Sequence, residues 1–183
     1  MSKHGIQKMS RMALLLAMGC PFLIHGAPVG SLRKGKDHRI EVRSNGPVEH
    51  RIEFNLDKYS IDNVEEDGKM YSRLICQGGV LHNRKGYAEL PFFHAALQLD
   101  KAEKYRIVVE DEVYEDIVLQ HPILPSKGVI YRNENPRLIA RNIAPESLKG
   151  DWFPKRSAEV ADPFIFRDVR GVNVYLNPFR YHA

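Results

Sequence analysis

The residue with the clearest chemical potential is Arg132, which lies in the segment 124–136, LPSKGVIYRNENP. An apolar run carries this arginine into a proline-bounded loop, which would present its side chain on a stiff, extended backbone. A proteinase inhibitor needs this arrangement because a preordered loop loses less entropy on docking. A guanidinium also pairs bidentately with the carboxylate of an acidic specificity pocket. On composition alone, however, an ordinary surface arginine at a strand end is the more frequent explanation.

Other catalytic or metal-binding chemistry has weaker support. Cys76 lies in a strand-like apolar run, 73–76, which favours a buried core thiol over a nucleophile. The eight histidines show no helical ligand spacing, so the sequence predicts no metal site. Phosphate-binding, zinc-protease and nucleophile-elbow motifs are missing, so we expect no cofactor. These residues therefore predict a binding module rather than an enzyme.

The first 26 residues have the order of a secretory signal peptide. Three basic residues precede an apolar run, 12–24, which is too short to span a bilayer comfortably, so no stable membrane insertion is expected. A lipoprotein signal ending at Cys20 remains open but fits less well. Removal of the leader takes the net charge from +4 to +1, which leaves no basis for nucleic-acid binding. The leader predicts export to the periplasm, the outer-membrane surface or the medium.

Strand patterns dominate the rest of the chain. Residues 27–37 are polar and glycine-rich, which predicts a flexible segment, and period-two alternation follows from residue 38. Runs at 105–109 and 113–119 predict two strands joined by an acidic turn at 110–112. Many short strands with frequent turns favour an all-β, two-sheet sandwich of jelly-roll type. Seven of the eleven prolines lie in 121–183, which predicts a long irregular loop near 132–163.

Four segments carry a family resemblance: SKGVIYRNENP at 126–136, DWFP at 151–154, ADPFIFRDVRG at 161–171 and LNP at 176–178. In order and spacing they resemble the propeptide of gingipain-type (C25 family) cysteine peptidases, which are secreted Arg- and Lys-specific proteases of oral Bacteroidetes. The likeness is strong over about 120–178 and weaker but collinear over 40–119.

The resemblance implies a β-sandwich prodomain over residues 38–183 that assists folding of the protease and holds it latent. Its partner would be the catalytic domain of a gingipain-like cysteine peptidase. The matching pocket residue is Arg132, and Arg137 and Arg141 are rivals in the same loop. The remaining residues of the inhibitory loop would be Tyr131 and Asn133 beside the cleft, Ile130 on the strand side and Pro136 at the exit.

Relative to the family, this sequence is expected to lack the last strands and the catalytic domain, as a truncated precursor or a stand-alone inhibitor. The loss of those strands would leave a sheet edge unpaired. A non-catalytic β-sandwich binding or adhesion module at the cell surface or in the periplasm remains the alternative.

Overall fold

The computed structural model describes residues 4–18, 29–34, 37–45, 49–99 and 105–183. Strands are the main regular structure of these ranges, and the only helices described there are two short 3-10 helices at Pro136–Leu138 and Pro145–Leu148. The strands in chain order are β1 (His4–Met18), β2 (Val29–Lys34), β3 (His38–Asn45), β4 (Glu49–Leu56), β5 (Ser60–Glu66), β6 (Lys69–Ile75), β7 (Val80–Leu81), β8 (Pro91–Gln98), β9 (Tyr105–Leu119), β10 (Ala158–Val160), β11 (Phe164–Phe166), β12 (Val169–Leu176) and β13 (Phe179–His182).

The first sheet is antiparallel and is organised around β1. One edge of β1 pairs with β9, and the other edge pairs with β13 and then with β4. Strands β3 and β2 continue the sheet beyond β4. On β4, Ile52, Phe54 and Leu56 are buried while the residues between them are not, as period-two alternation predicts.

The second sheet has the order β10, β12, β8, β7, and β11 pairs with β12 as a short hairpin. The rings of Phe54 in the first sheet and Phe93 in the second lie 5.3 Å apart. Buried side chains of the two sheets form one hydrophobic cluster, so the sheets enclose a common core. The predicted all-β sandwich is thereby confirmed. Strands β5 and β6 form a separate hairpin.

The acidic segment 110–112 is not a turn, and the prediction of two strands in this region was wrong. β9 runs without interruption from Tyr105 to Leu119 along β1. The pairing shifts register near the acidic residues, and Asp111 adopts a positive φ of 50°. A bulge absorbs the extra residue, so the acidic run bends the strand instead of ending it.

The proline-rich region follows its prediction more closely. Within 132–163 the described elements are the two 3-10 helices and β10, which lies at the edge of its sheet. Each helix has a proline within its first two positions, where the missing N–H costs nothing.

Part of the predicted leader lies in the sheet, because its residues 4–18 form β1. Residues 19–28, which contain the predicted cleavage site, lie outside the described residues. Within the segment predicted to be flexible, residues 29–34 form β2. Export and cleavage remain predictions.

Candidate functional site

Arg132 lies at the tip of a self-contained turn. The backbone N–H of Glu134 donates to the carbonyl of Tyr131 at 2.9 Å. In return, the N–H of Tyr131 donates to the Glu134 carboxylate at 2.7 Å. These reciprocal bonds hold Arg132 and Asn133 between them, and both residues are exposed. The local sequence therefore orders the turn and leaves the guanidinium free to meet a partner.

The exit of the loop is stiffened from two directions. The side chain of Asn135 accepts a hydrogen bond from the N–H of Arg137 at 3.0 Å and so caps the helix that begins at Pro136. Across the loop, Lys127 Nζ donates to the carbonyl of Pro136 at 3.0 Å. This bond closes the segment 127–136 into a compact loop with the turn at its far end.

The base of the loop is fixed to the segment 85–87. Ser126 is buried, its N–H donates to the Tyr87 carbonyl at 2.8 Å, and its carbonyl accepts from Gly86 at 2.9 Å. Gly128 has a φ of +83°, and a Cβ built there would lie 2.9 Å from the Cβ of Lys85. Glycine is therefore required by backbone conformation and by space.

An ion cluster underlies this base. Glu66 at the end of β5 lies 3.0 Å from Lys127 Nζ and 2.9 Å from Arg141 Nε. Arg141 also contacts Glu89 at 3.3 Å and donates to the carbonyl of Pro125 at 2.6 Å. Burial tends to raise the pKa of Glu66, but hydrogen bonds from Lys127 and Arg141 outweigh it and hold the pKa below its usual value. The cluster ties the loop to a distant hairpin.

This cluster separates the three candidate arginines. The Arg141 side chain is only 15% exposed and is bound on several sides, so offering it to a pocket would break the cluster. Arg132 and Arg137 are exposed. Arg137 lies in the 3-10 helix that Asn135 caps, whereas Arg132 lies at the tip of the 131–134 turn.

The flanking residues lie in the loop but not as the sequence suggested. The predicted strand end at Ile130 was wrong, because residues 126–131 form no regular strand. Ile130 is 38% exposed and Tyr131 is 67% exposed, and neighbouring Val129 is also exposed. Apolar side chains left in water beside a basic tip are typical of a protein-binding surface. Pro136 lies at the loop exit, at the start of the 3-10 helix.

A second exposed apolar feature is the hairpin formed by β11 and the start of β12. Ile165 is 77% exposed and Phe166 is 66% exposed. The two strands pair through Ile165 and Arg170, and Gly171 is covered by the ring of Phe164. The turn of this hairpin contains Arg167, which is exposed and whose guanidinium lies 5.6 Å from the centre of the Phe166 ring. The hairpin therefore carries family-like residues and also presents a basic tip.

Asn177 of the LNP segment is a buried anchor for the proline-rich region. Its side chain donates to the carbonyl of Arg156 at 2.9 Å and accepts from His82 at 3.1 Å. Its N–H donates to the Ser157 carbonyl at 2.7 Å. Burial lowers the pKa of His82 despite the hydrogen bond to Asn177.

Cys76 is a core residue, as predicted. It is 7% exposed, and burial together with the Asp37 charge raises its pKa to about 12. A thiol that stays protonated is a poor nucleophile. Among the described residues, no group of three His, Cys, Asp or Glu side chains could hold a metal ion. Over the same part of the chain, no helix has the length and hydropathy needed to cross a membrane.

The domain is thus a β-sandwich that holds an exposed, basic loop on a clamped base. Residues 33–183 match the Propeptide_C25 family model, so the chain belongs to that propeptide family. It is 29% identical over 151 residues to gingipain R2 of Porphyromonas gingivalis, and 30% identical over 133 residues to gingipain R1 of the same species. These alignments cover 81% and 72% of this chain but only 20% and 13% of the relatives. The chain thus corresponds to a fifth or less of those proteins.

Solved structures support the same family. The complex of the P. gingivalis RgpB pro- and mature domains matches with a TM-score of 0.58 at 25% identity, over 84% of this chain and 79% of that one. A structure on the zymogenic latency of gingipain K from P. gingivalis matches with a TM-score of 0.57 at 11% identity, over 93% and 92%, and so shares the fold. Because the family is one of prodomains, residues 33–183 are a non-catalytic region, as predicted.

Proposed function

We propose that this chain is an exported prodomain that binds the active-site cleft of a gingipain-like Arg/Lys-specific cysteine peptidase, assists its folding and holds it latent. The observation that carries the proposal is the Arg132 turn, which is ordered by its own hydrogen bonds and clamped at its base. Arg132 enters the specificity pocket and pairs with a pocket carboxylate. Tyr131 and Asn133 flank Arg132 at the cleft, and Ile130 anchors the loop on the side that precedes them.

Preorganisation makes this loop suitable for inhibition. The turn, the cap at Asn135 and the Lys127 bridge fix the loop before binding. Less conformational entropy is then lost when the loop docks. The fold relationship with the RgpB prodomain, which was solved in complex with its mature domain, supports the same role.

The test mixes the chain with an Arg-specific and a Lys-specific gingipain and measures inhibition constants. We expect Arg132→Ala to raise the inhibition constant by at least about tenfold, because loss of one partner of a desolvated charge pair is costly. Arg132→Lys should shift preference toward the Lys-specific enzyme. Arg137→Ala is the matched control and should have little effect. Unchanged inhibition by Arg132→Ala would refute the role of Arg132.

A second candidate function is a surface adhesion module, which the exposed hairpin around Ile165 and Phe166 favours. It predicts no inhibition of either protease and tolerance of changes in 126–141. Replacement of Ile165 and Phe166 by serine distinguishes the two functions. Under the inhibitor proposal these substitutions leave the Arg132-dependent inhibition in place.

Export is tested separately. A full-length chain expressed in a Gram-negative host should be recovered from the periplasm, and the N-terminus of the recovered chain identifies any cleavage near residue 26. Retention in the cytoplasm would contradict the export part of the proposal alone.

A further inference from the structure

Strand β1 fills a slot that the rest of the domain builds. One wall is β9, which pairs with β1 from His4 to Met18. The opposite wall is β13 along residues 5–8 and β4 along residues 11–17. In the described ladders β9 pairs with β1 alone, so β1 joins β9 to the remainder of the sheet.

The strands that form the walls and the strand that occupies the slot belong to different parts of the chain. The three strands that form the two walls, β4, β9 and β13, lie within residues 33–183, the part that matches the propeptide family, whereas β1 lies outside it. Strand β1 also has the composition of an export leader. The walls of the slot therefore belong to the part of the chain that matches the family, and the strand that occupies it does not.

The interior of the slot specifies an apolar strand. Ile6, Met9, Met12 and Leu14 are at most 1% exposed and lie in the common core. The register shifts on either side of Arg11 set which positions of the occupant face inward. An occupant needs uncharged side chains at these core positions and an extended backbone along the walls.

The rim of the slot carries acidic residues and so favours a basic residue on the strand that occupies it. Lys8 Nζ lies 3.2 Å from the carboxylate of Glu115 on β9. β9 also carries Glu110 and Glu112, so its edge is acidic. The backbone N–H of Met9 donates to the carbonyl of Pro178 at 2.7 Å, which fixes the occupant at its centre. A basic residue near Glu115 completes the match.

We propose that the slot between β9 and the β4–β13 wall is a strand-acceptor site for an extended segment of a second polypeptide. That segment is apolar at the core positions and has a basic residue opposite Glu115. Residues 4–18 occupy the site in this structure, and the partner segment binds when they are removed. Binding is by strand addition, in which backbone hydrogen bonds supply affinity and the core pockets supply specificity. The proposal does not depend on Arg132 or on protease inhibition.

The test uses the folded full chain with an endopeptidase recognition sequence placed within residues 19–28. After cleavage, a fluorescent peptide of residues 4–18 is added and its anisotropy is followed. We expect the labelled peptide to exchange into the cleaved chain and not into the uncleaved chain. A matched peptide with Met9→Asp and Met12→Asp should bind at least about a hundredfold more weakly, because it buries charge in the core.

A second measurement applies if the cleaved chain loses its fold. In the full-length Met12→Asp variant, the backbone amides of β9 should exchange with solvent faster than in the natural chain. Added peptide 4–18 should restore their protection. Equal binding of the natural and Asp peptides would overturn the proposal. So would a cleaved chain that releases residues 4–18, keeps β9 protected and takes up no peptide.

Discussion

Replacement of Glu66 by glutamine tests whether the ion cluster holds the loop in place. Glu66→Gln keeps the shape of the side chain but removes its charge from Lys127 at 3.0 Å and Arg141 at 2.9 Å. A hydrogen bond to a charged group is worth about 1.5–3 kcal/mol, whereas an exposed ion pair is worth about 0.2–1 kcal/mol. Glu66 is 30% exposed and each partner 15%, so the contacts lie between these limits. We expect the free energy of unfolding to fall by about 1–3 kcal/mol.

The assays are denaturant unfolding, limited proteolysis of residues 126–141 and protease inhibition. The loop should be cut faster because its base is loosened while the Arg132 turn keeps its own hydrogen bonds. Inhibition should weaken less than in Arg132→Ala. The control is Asp62→Asn on the same strand, whose ion pair with Arg73 spans 3.8 Å between half-exposed side chains. It should change stability by less than about 0.5 kcal/mol.

The pH dependence gives an independent check. The pKa of Glu66 is lowered in the folded state, so its contribution to stability is present above the ordinary value of 4.5 and is lost as pH falls through the lowered value. The stability difference between the natural chain and Glu66→Gln should therefore shrink below pH 4.5. Equal losses in Glu66→Gln and Asp62→Asn, or unchanged loop proteolysis, would refute the reasoning.

Three further predictions concern single residues. In a Cys20→Ser chain, Cys76 should react with a disulfide reagent at pH 8 at least about tenfold more slowly than a free thiol, since its pKa is about 12 and it is 7% exposed; a fast reaction contradicts its burial. His82 has a lowered pKa in the folded state, so the unfolding free energy should decline as pH falls below 6.5, and His82→Gln should reduce that slope. Gly128→Ala should lower stability by about 1–2 kcal/mol, measured by denaturant unfolding, because its φ is +83°.

Much of the fold was predictable because its signals are local. Alternation of Ile52, Phe54 and Leu56 with polar residues predicts a half-buried strand without any knowledge of its neighbours in the fold. The acidic run in β9 led to a wrong prediction of a turn. Charged residues predict an exposed segment, and β9 is largely exposed there, but an exposed segment can continue as a strand. A bulge that accommodates Asp111 depends on the register with β1, which is far away in sequence.

The candidate site was predictable only in part for the same reason. The position of Arg132 in a proline-bounded loop is a local property, and the turn that presents it is built from adjacent residues. The cluster of Glu66, Glu89 and Arg141 joins residues from three separate segments. Its charges carry no periodicity or spacing, so the sequence indicated Arg141 only as a rival of Arg132 and gave no sign of its ion pairs.

Some residues of the family-like segments hold the loop base and the proline-rich region in place. Ser126 and Gly128 hold the backbone against segment 85–87, and buried Asn177 holds the proline-rich region through Arg156 and Ser157. Each of these positions is constrained by internal contacts whatever the domain binds. Arg132, in contrast, is held by the turn around it and is exposed. Substitution at Arg132 therefore alters the surface offered to a partner and leaves the base intact, so target preference can change without rebuilding the fold.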